Sequence, residues 1–152
     1  MNILKILTPQ RKIGNLGEGE AVKMLRKKGY RILKTNYTAA GAEIDIIAKN
    51  KDVTAFIEVK TRNVKYLGYK EARPASAVTP EKQRKIIKAA SHYIPRNSVE
   101  GRLRFDVIEV YTEGEGRLTK IKEIKHIEGA FSKDTAFDAK YHYQRKKEGS
   151  VL

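Results

Sequence analysis

Two short runs in the chain carry residue types suited to phosphoryl chemistry: Glu43-Ile44-Asp45 and Glu58-Val59-Lys60. Side chains at i and i+2 of a strand share a face, so Glu43 and Asp45 fall on one side of the first run and Ile44 and Ile46 on the other. Glu58 and Lys60 share a face of the second run in the same way, against Ile57 and Val59. If the two runs are neighbouring strands, Asp45 and Glu58 meet at one end of a sheet with Lys60 beside them. Two such carboxylates suit Mg²⁺ or Mn²⁺, hard ions that take oxygen ligands, and the backbone carbonyl of Val59 offers another oxygen. A metal held there polarises a phosphate and acidifies a bound water, and a nearby ammonium orients that water or offsets developing charge. Glu-X-Lys on its own also reads as a solvated surface pair. The Glu-Ile-Asp strand at hairpin spacing, the basic charge and the strand-then-helix order favour a site.

Two helical side chains could join these residues. Glu18 precedes Ala21, Val22 and Leu25 by three, four and seven residues, which puts it on their core-facing stripe, whereas Glu20 faces Lys23 and Lys27. It reads either as a third acid aimed at the sheet from the helix's first turn or as compensation of the helix dipole. Gln83 lies one turn before Ile86 and Ile87 and could position a water or a phosphate, or simply start a helix.

The elements that must position these groups follow from periodicity and punctuation. Residues 14–29 read as a helix ended by Gly29. A short strand over 30–33 and a loop over 35–41 follow. Strands over 43–48 and 53–61 flank a turn at 50–52, and a long loop spans 62–77. Thr79 and Pro80 open a second helix whose core stripe is Ile86, Ile87, Ala90 and Ile94, with Pro95 closing it. A strand over 103–111, a turn at Gly114 and Gly116 and a strand over 118–124 complete the order. The reading is one α/β domain over 1–131, a mixed central sheet flanked by helices, with a polar, basic tail over 132–152.

The chain has 152 residues, 32 Lys and Arg against 18 Asp and Glu, and no cysteine. A surplus of +14 in one small domain points to a polyanion. The missing cysteines exclude disulfide scaffolds, thiol nucleophiles and zinc fingers. No run is long enough to span a membrane, and the chain reads as a cytoplasmic protein. Residues 1–36 hold nine basic residues against two glutamates. Lys12, Arg62, Lys82, Arg84 and Lys85 are the candidate phosphate contacts. Tyr37, Tyr66 and Tyr69 fall in loops where they could stack on unpaired bases. The segment from Gly14 to Gly19 lacks the Lys-Ser/Thr of a phosphate loop. His92, His126 and His142 are scattered and read as surface or backbone-contact residues. Asp106 reads as the structural partner of a basic residue near the site.

The ordered series Gly17-Glu18, Ala21, Leu25, Gly29, Asn36, Glu43-Ile44-Asp45, Phe56 to Arg62, Gly68, Val78, Lys82-Gln83 and Arg104 to Val107 resembles the YraN family of small bacterial proteins. That family is similar to the restriction-endonuclease-like, PD-(D/E)XK nucleases, and among them to archaeal-type Holliday junction resolvases. The resemblance implies an α-β-β-β-α-β core. It implies catalytic positions at Asp45, Glu58 and Lys60, an acid from the first helix at Glu18, and a helix position at Gln83. The chain departs from the pattern at Ala42, where glycine is usual, and at Thr38, where arginine is common. The expectation is a Mg²⁺-dependent endonuclease acting on branched or damaged DNA, as a homodimer if its substrate is a twofold-symmetric junction. The alternative is a nucleic-acid-binding module of the same fold without cleavage, and RNA is a variant substrate for either.

Overall fold

A computed structural model describes residues 9–64 and 78–133, with side chains from Asn15 onward. The elements run α1 (Pro9–Lys27), β1 (Arg31–Ala39), β2 (Ala42–Asn50), β3 (Val53–Asn63), α2 (Pro80–Arg96), β4 (Arg102–Glu113) and β5 (Lys120–Phe131), with a 3-10 turn over Gly116–Leu118. The five strands form one mixed sheet in sequence order. β3 and β4 are parallel and the other pairs antiparallel. The parallel pair requires the crossover that α2 supplies.

Each helix covers one face. Ala21 and Leu25 of α1 pack with Ile46, Ala48, Ala55, Ile57, Ile108 and Val110. Ile86, Ala89, Ala90 and Tyr93 of α2 pack with Ile44, Ile47, Phe56 and Val107. The result is the expected helix-flanked mixed sheet.

Several boundaries differ from expectation. α1 begins at Pro9, a residue suited to a first turn, rather than near Gly14. It ends as expected: Gly29 has φ +89, its N–H donates to the Arg26 carbonyl, and the Tyr30 N–H donates to the Leu25 carbonyl, both at 3.0 Å. The expected loop over 35–41 is mostly strand. β1 runs to Ala39 and turns through Ala40 and Gly41, both with positive φ, before β2. β1 hides this because it is an edge strand whose exposed positions are polar. β3 continues to Asn63, so Arg62 sits on a strand. The remainder of that expected loop, with Tyr66 and Tyr69, lies outside the described residues, as do His142 and the tail beyond Lys133.

α2 is capped by Thr79, whose Oγ1 accepts from the Lys82 N–H at 3.2 Å. Pro95 lies inside its last turn rather than closing it. Its buried stripe takes in Ala89 and Tyr93, while Ile87 and Ile94 stay half-buried. β5 starts at Lys120 and reaches Phe131, well past the expected end, and Leu118 is a 75 % exposed turn residue. Ile44 and Ile46 pack on opposite faces of the sheet rather than sharing one. The facing strand is interrupted at the same level, where Asn36, between the pairs Thr35↔Ile46 and Tyr37↔Ile44, adopts φ +50.

Candidate acidic site

The ladder between β2 and β3 runs from Asn50↔Val53 to Ile46↔Ile57. One residue further, the Asp45 side chain takes over from the backbone: its Oδ2 accepts the Val59 N–H at 2.8 Å. The strands part there, and the acids collect around the notch. Burial and then the charge of Glu58 raise the Asp45 carboxyl to about 7, against the single lowering hydrogen bond from Val59. Burial also raises Glu18, followed by the charges of Glu43 and Glu58.

Glu18 reaches this place from the middle of α1. Since the helix starts nine residues earlier than Glu18 and its first turn holds no acid, dipole compensation does not account for it. The helix approaches closely because Gly17 lies against Thr61. A Cβ at Gly17 would stand 1.9 Å from Thr61 Oγ1.

Glu58 is 5 % exposed. Its Oε1 lies 3.3 Å from Lys60 Nζ and 3.7 Å from Lys82 Nζ, and its Oε2 is buried with no hydrogen-bond partner. The notch therefore brings Glu18, Asp45, Glu58 and Lys60 together, with Val59 among them. As placed, no three acidic or histidine side chains among the described residues converge closely enough to ligate one ion.

Asn36 and Glu109 were given no role in the site from the sequence. The Asn36 amide is oriented by its neighbours, its NH2 donating to Glu18 Oε2 and to Glu43 Oε1, each at 3.2 Å. Glu43 is thus tied to Glu18 as well as placed beside Asp45. Glu109 is a buried carboxylate on β4 directly across from Lys60 in the parallel register, and it accepts from the Tyr111 hydroxyl at 2.5 Å. Burial and that hydrogen bond push Tyr111 up to about 12. Two signals for these residues were present: asparagine tolerates left-handed backbone, and a lone acid interrupts the apolar run around Glu109.

The remaining candidates spread outward. The Gln83 side-chain amide donates to the Val78 carbonyl at 3.0 Å, at the start of α2. Lys82 and Lys85 line a cleft of ≈ 480 Å³ with Thr38, Ala39, Gly41, Ala42 and Glu43, and Lys85 also pairs with Glu81 at 3.6 Å. Arg84 is half-buried with Nη1 unpartnered. Arg62 lies on β3 across from Tyr111. The side chain of Lys12 is outside the described part. Tyr37 sits on β1 rather than in a loop, and its hydroxyl is 2.6 Å from His92 Nδ1.

Asp106 is fully buried. It accepts from Arg104 Nε and Nη2 at 2.8 and 2.9 Å and from the Gly129 N–H at 2.9 Å, and lies 2.8 Å from His126 Nε2. Burial alone would raise its pKa, but His126, Arg104 and Gly129 outweigh that and hold it below the usual carboxylate range. His126, with a side chain 2 % exposed, is therefore a buried partner of the Asp106 carboxylate, not the surface or backbone-contact residue expected. Among the described residues no helix is long and apolar enough to cross a membrane.

Comparison with known proteins places this arrangement in a family. The profile of the Uncharacterised protein family UPF0102 matches residues 17–110, a stretch that holds Glu18, Glu43, Asp45 and Glu58. A UPF0102 protein of Chlorobium phaeobacteroides is 45 % identical over 122 residues, covering 78 % of this chain and 93 % of the relative. One from Clostridioides difficile is 45 % identical over 120 residues, 78 % of this chain and 95 % of its own. One from Flavobacterium psychrophilum is 40 % identical over 119 residues, 78 % and 92 % of the two chains. The chain belongs to the UPF0102 family.

Proposed function

We propose that this protein is a metal-dependent endonuclease that hydrolyses phosphodiester bonds in DNA, acting on branched intermediates of recombination or repair. Glu58 carries the reading. It is a buried carboxylate with one oxygen shared by two lysines and the other without a partner. Burying a charge with incomplete compensation is costly, and a divalent cation is the usual remedy. The donor set fits Mg²⁺, which accepts few protein ligands and keeps its waters: Asp45, Glu58 and the Val59 carbonyl would hold it, with Glu18 as the further acid. When bound, the ion supplies Lewis acidity toward the phosphate and toward water.

The chain's own residues do the rest. Asn36 fixes Glu18 against Glu43. Lys60, held 3.3 Å from Glu58, is placed to orient the attacking water or offset charge on the phosphate. Lys82 and Lys85 border the adjoining cleft, where a neighbouring phosphate of the strand can be held. The likeness of Asp45, Glu58 and Lys60 to the catalytic positions of PD-(D/E)XK nucleases supports the assignment, and a twofold-symmetric junction would engage two copies.

One observation favours a second reading. Lys60 and Lys82 already neutralise Glu58, which suits a nucleic-acid-binding protein of this fold that does not cleave. A single assay separates the two. Labelled four-way junction, flap, single strand, duplex and RNA are incubated with Mg²⁺, Mn²⁺ or EDTA, using the wild type, Asp45→Asn and Lys60→Ala. Metal-dependent cleavage lost in both variants while binding persists is the expected result. Binding without cleavage in every metal selects the second reading.

A further inference from the structure

Two lysines from the first two turns of α2 border the cleft beside the acidic notch, and each is held by a carboxylate. The two carboxylates differ. Lys85 Nζ lies 3.6 Å from Oε1 of Glu81, one helical turn back, whose side chain is 74 % exposed. A solvated pair of that kind contributes little and yields readily to a phosphate. Lys82 Nζ lies 3.7 Å from Oε1 of Glu58, whose side chain is 6 % exposed. Removing a cation from a buried carboxylate costs far more. Lys82 is thus committed to the notch for as long as Glu58 depends on it.

The contact is built so that it can be exchanged. Lys60 reaches the same oxygen at the shorter distance of 3.3 Å, and its position is set by β3, the strand that carries Glu58 itself. Lys82 comes from another element. Its backbone is pinned at the start of α2, where its N–H donates to Thr79 Oγ1 at 3.2 Å and the neighbouring Gln83 amide donates to the Val78 carbonyl at 3.0 Å. Beyond that anchor it is a flexible stem whose ammonium reaches Glu58 and which also borders the cleft of ≈ 480 Å³. Glu58 Oε2 is buried without a partner, so two ammonium groups on Oε1 leave the carboxylate half satisfied. A divalent cation brings two charges where Lys82 brings one. Glu43 also borders the cleft, but it is exposed and already accepts from Asn36, so it does not replace Glu58 as a buried partner for Lys82.

We propose that Lys82 is an exchangeable counter-ion: it neutralises Glu58 when no divalent cation is bound there, and turns into the cleft to take a phosphate of the nucleic acid when one is. Cation and nucleic acid then bind cooperatively, each favouring the arrangement that the other needs. The inference rests on the metal assignment proposed above and adds a coupling that cleavage alone does not require.

Calorimetric titration of the full-length protein with Mg²⁺, in the absence of nucleic acid, compares wild type, Lys82→Met and Lys85→Met. Without the competing ammonium, Lys82→Met should bind Mg²⁺ about fivefold tighter or more, and Lys85→Met should match wild type. Anisotropy of a labelled four-way junction, at one ionic strength, in EDTA and in Ca²⁺, which takes the same oxygen ligands, reads the other half of the coupling. The cation should tighten junction binding by wild type and Lys85→Met, and Lys82→Met should lose most of that gain. In EDTA, Lys85→Met should weaken binding more than Lys82→Met does. Circular dichroism verifies that each variant is folded, and Lys82→Gln repeats the test if methionine disturbs the helix. Equal Mg²⁺ affinity in wild type and Lys82→Met, including none in either, or an equal gain from the cation in both, overturns the proposal. The two readings fail separately. A junction bound with this coupling but never cut removes only the nuclease, whereas metal-dependent cutting without the coupling removes only the exchange.

Discussion

Asp45 is a carboxyl that its surroundings hold near half-protonation at neutral pH, since burial and Glu58 raise it to about 7. In the unfolded chain it titrates near 3.8. The folded state therefore binds the proton more tightly, and the stabilisation this gives is complete below about pH 4 and lost as pH rises through 7. Asp45→Asn keeps an oxygen to accept from Val59 and carries no charge. In EDTA its stability relative to wild type should rise between pH 4 and 7 by about 2 kcal/mol, allowing for solvent at a half-buried group. Thermal melts across that range check this, and a pH-independent difference contradicts it. Mg²⁺ should raise the melting temperature of wild type but not of Asp45→Asn, a binding effect that needs no substrate. Part of the notch was legible at this scale: period two put Glu58 with Lys60 on β3, whereas on β2 it fails between Ile44 and Ile46, which pack on opposite faces. Asn36 was not legible as a site residue: asparagine tolerates the left-handed backbone on which its role depends, but it stands in a segment that reads as a loop.

At the scale of elements, the acids meet only because α1 approaches β3 closely enough for Glu18 to reach them, and Gly17 permits that approach. Its missing Cβ leaves room for Thr61. Gly17→Ala should cost about 1–3 kcal/mol by forcing the helix away from the strand. Combining it with Thr61→Ala should recover part of the loss, because the Oγ1 and Cγ2 contacts disappear while the tight Thr61 Cβ remains. Denaturant unfolding of the two single variants and the double variant tests this; strictly additive effects would show that the two positions are not coupled. The order of elements was legible from the sequence, and so was the Gly29 stop. Edge strands were read too short, since β1 and β5 lack the apolar alternation that burial imposes on central strands. The α2 stripe was read one position wide of its centre: Ile87 and Ile94 look like core by residue type, but α2 turns Ala89 and Tyr93 inward.

Across the whole molecule, Asp106 joins parts distant in sequence. It holds Arg104 beside it on β4, and His126 and the Gly129 backbone of β5. Arg104 Nη2 also donates to the Tyr30 hydroxyl at 2.5 Å, just beyond α1, and Lys28 Nζ lies 2.9 Å from His126 Nδ1. Asp106→Asn leaves Arg104 without its charged partner and should cost about 3 kcal/mol at pH 7. Because the Asp106 pKa is lowered on folding, its contribution is present above the ordinary carboxylate value near 3.8 and fades as pH falls through the lower folded value. The gap between wild type and variant should therefore close below about pH 4, as acid titrations monitored by circular dichroism would show. The sequence offered a basic partner for Asp106 but not a buried histidine, since β5 was expected to stop before residue 126. The irregularities of the two outer strands bear on self-assembly. β1 carries a register shift between Ile32 and Lys34 and the left-handed Asn36; β5 carries shifts opposite Phe105–Val107 and Tyr111–Thr112, and Lys120, Lys122 and Lys125 along its length. Neither border offers a straight, uncharged template, so accidental extension of the sheet from molecule to molecule is blocked. Lys122→Val with Lys125→Val should promote concentration-dependent light scattering at low salt, and a twofold partner would have to meet this chain through a surface other than its sheet borders.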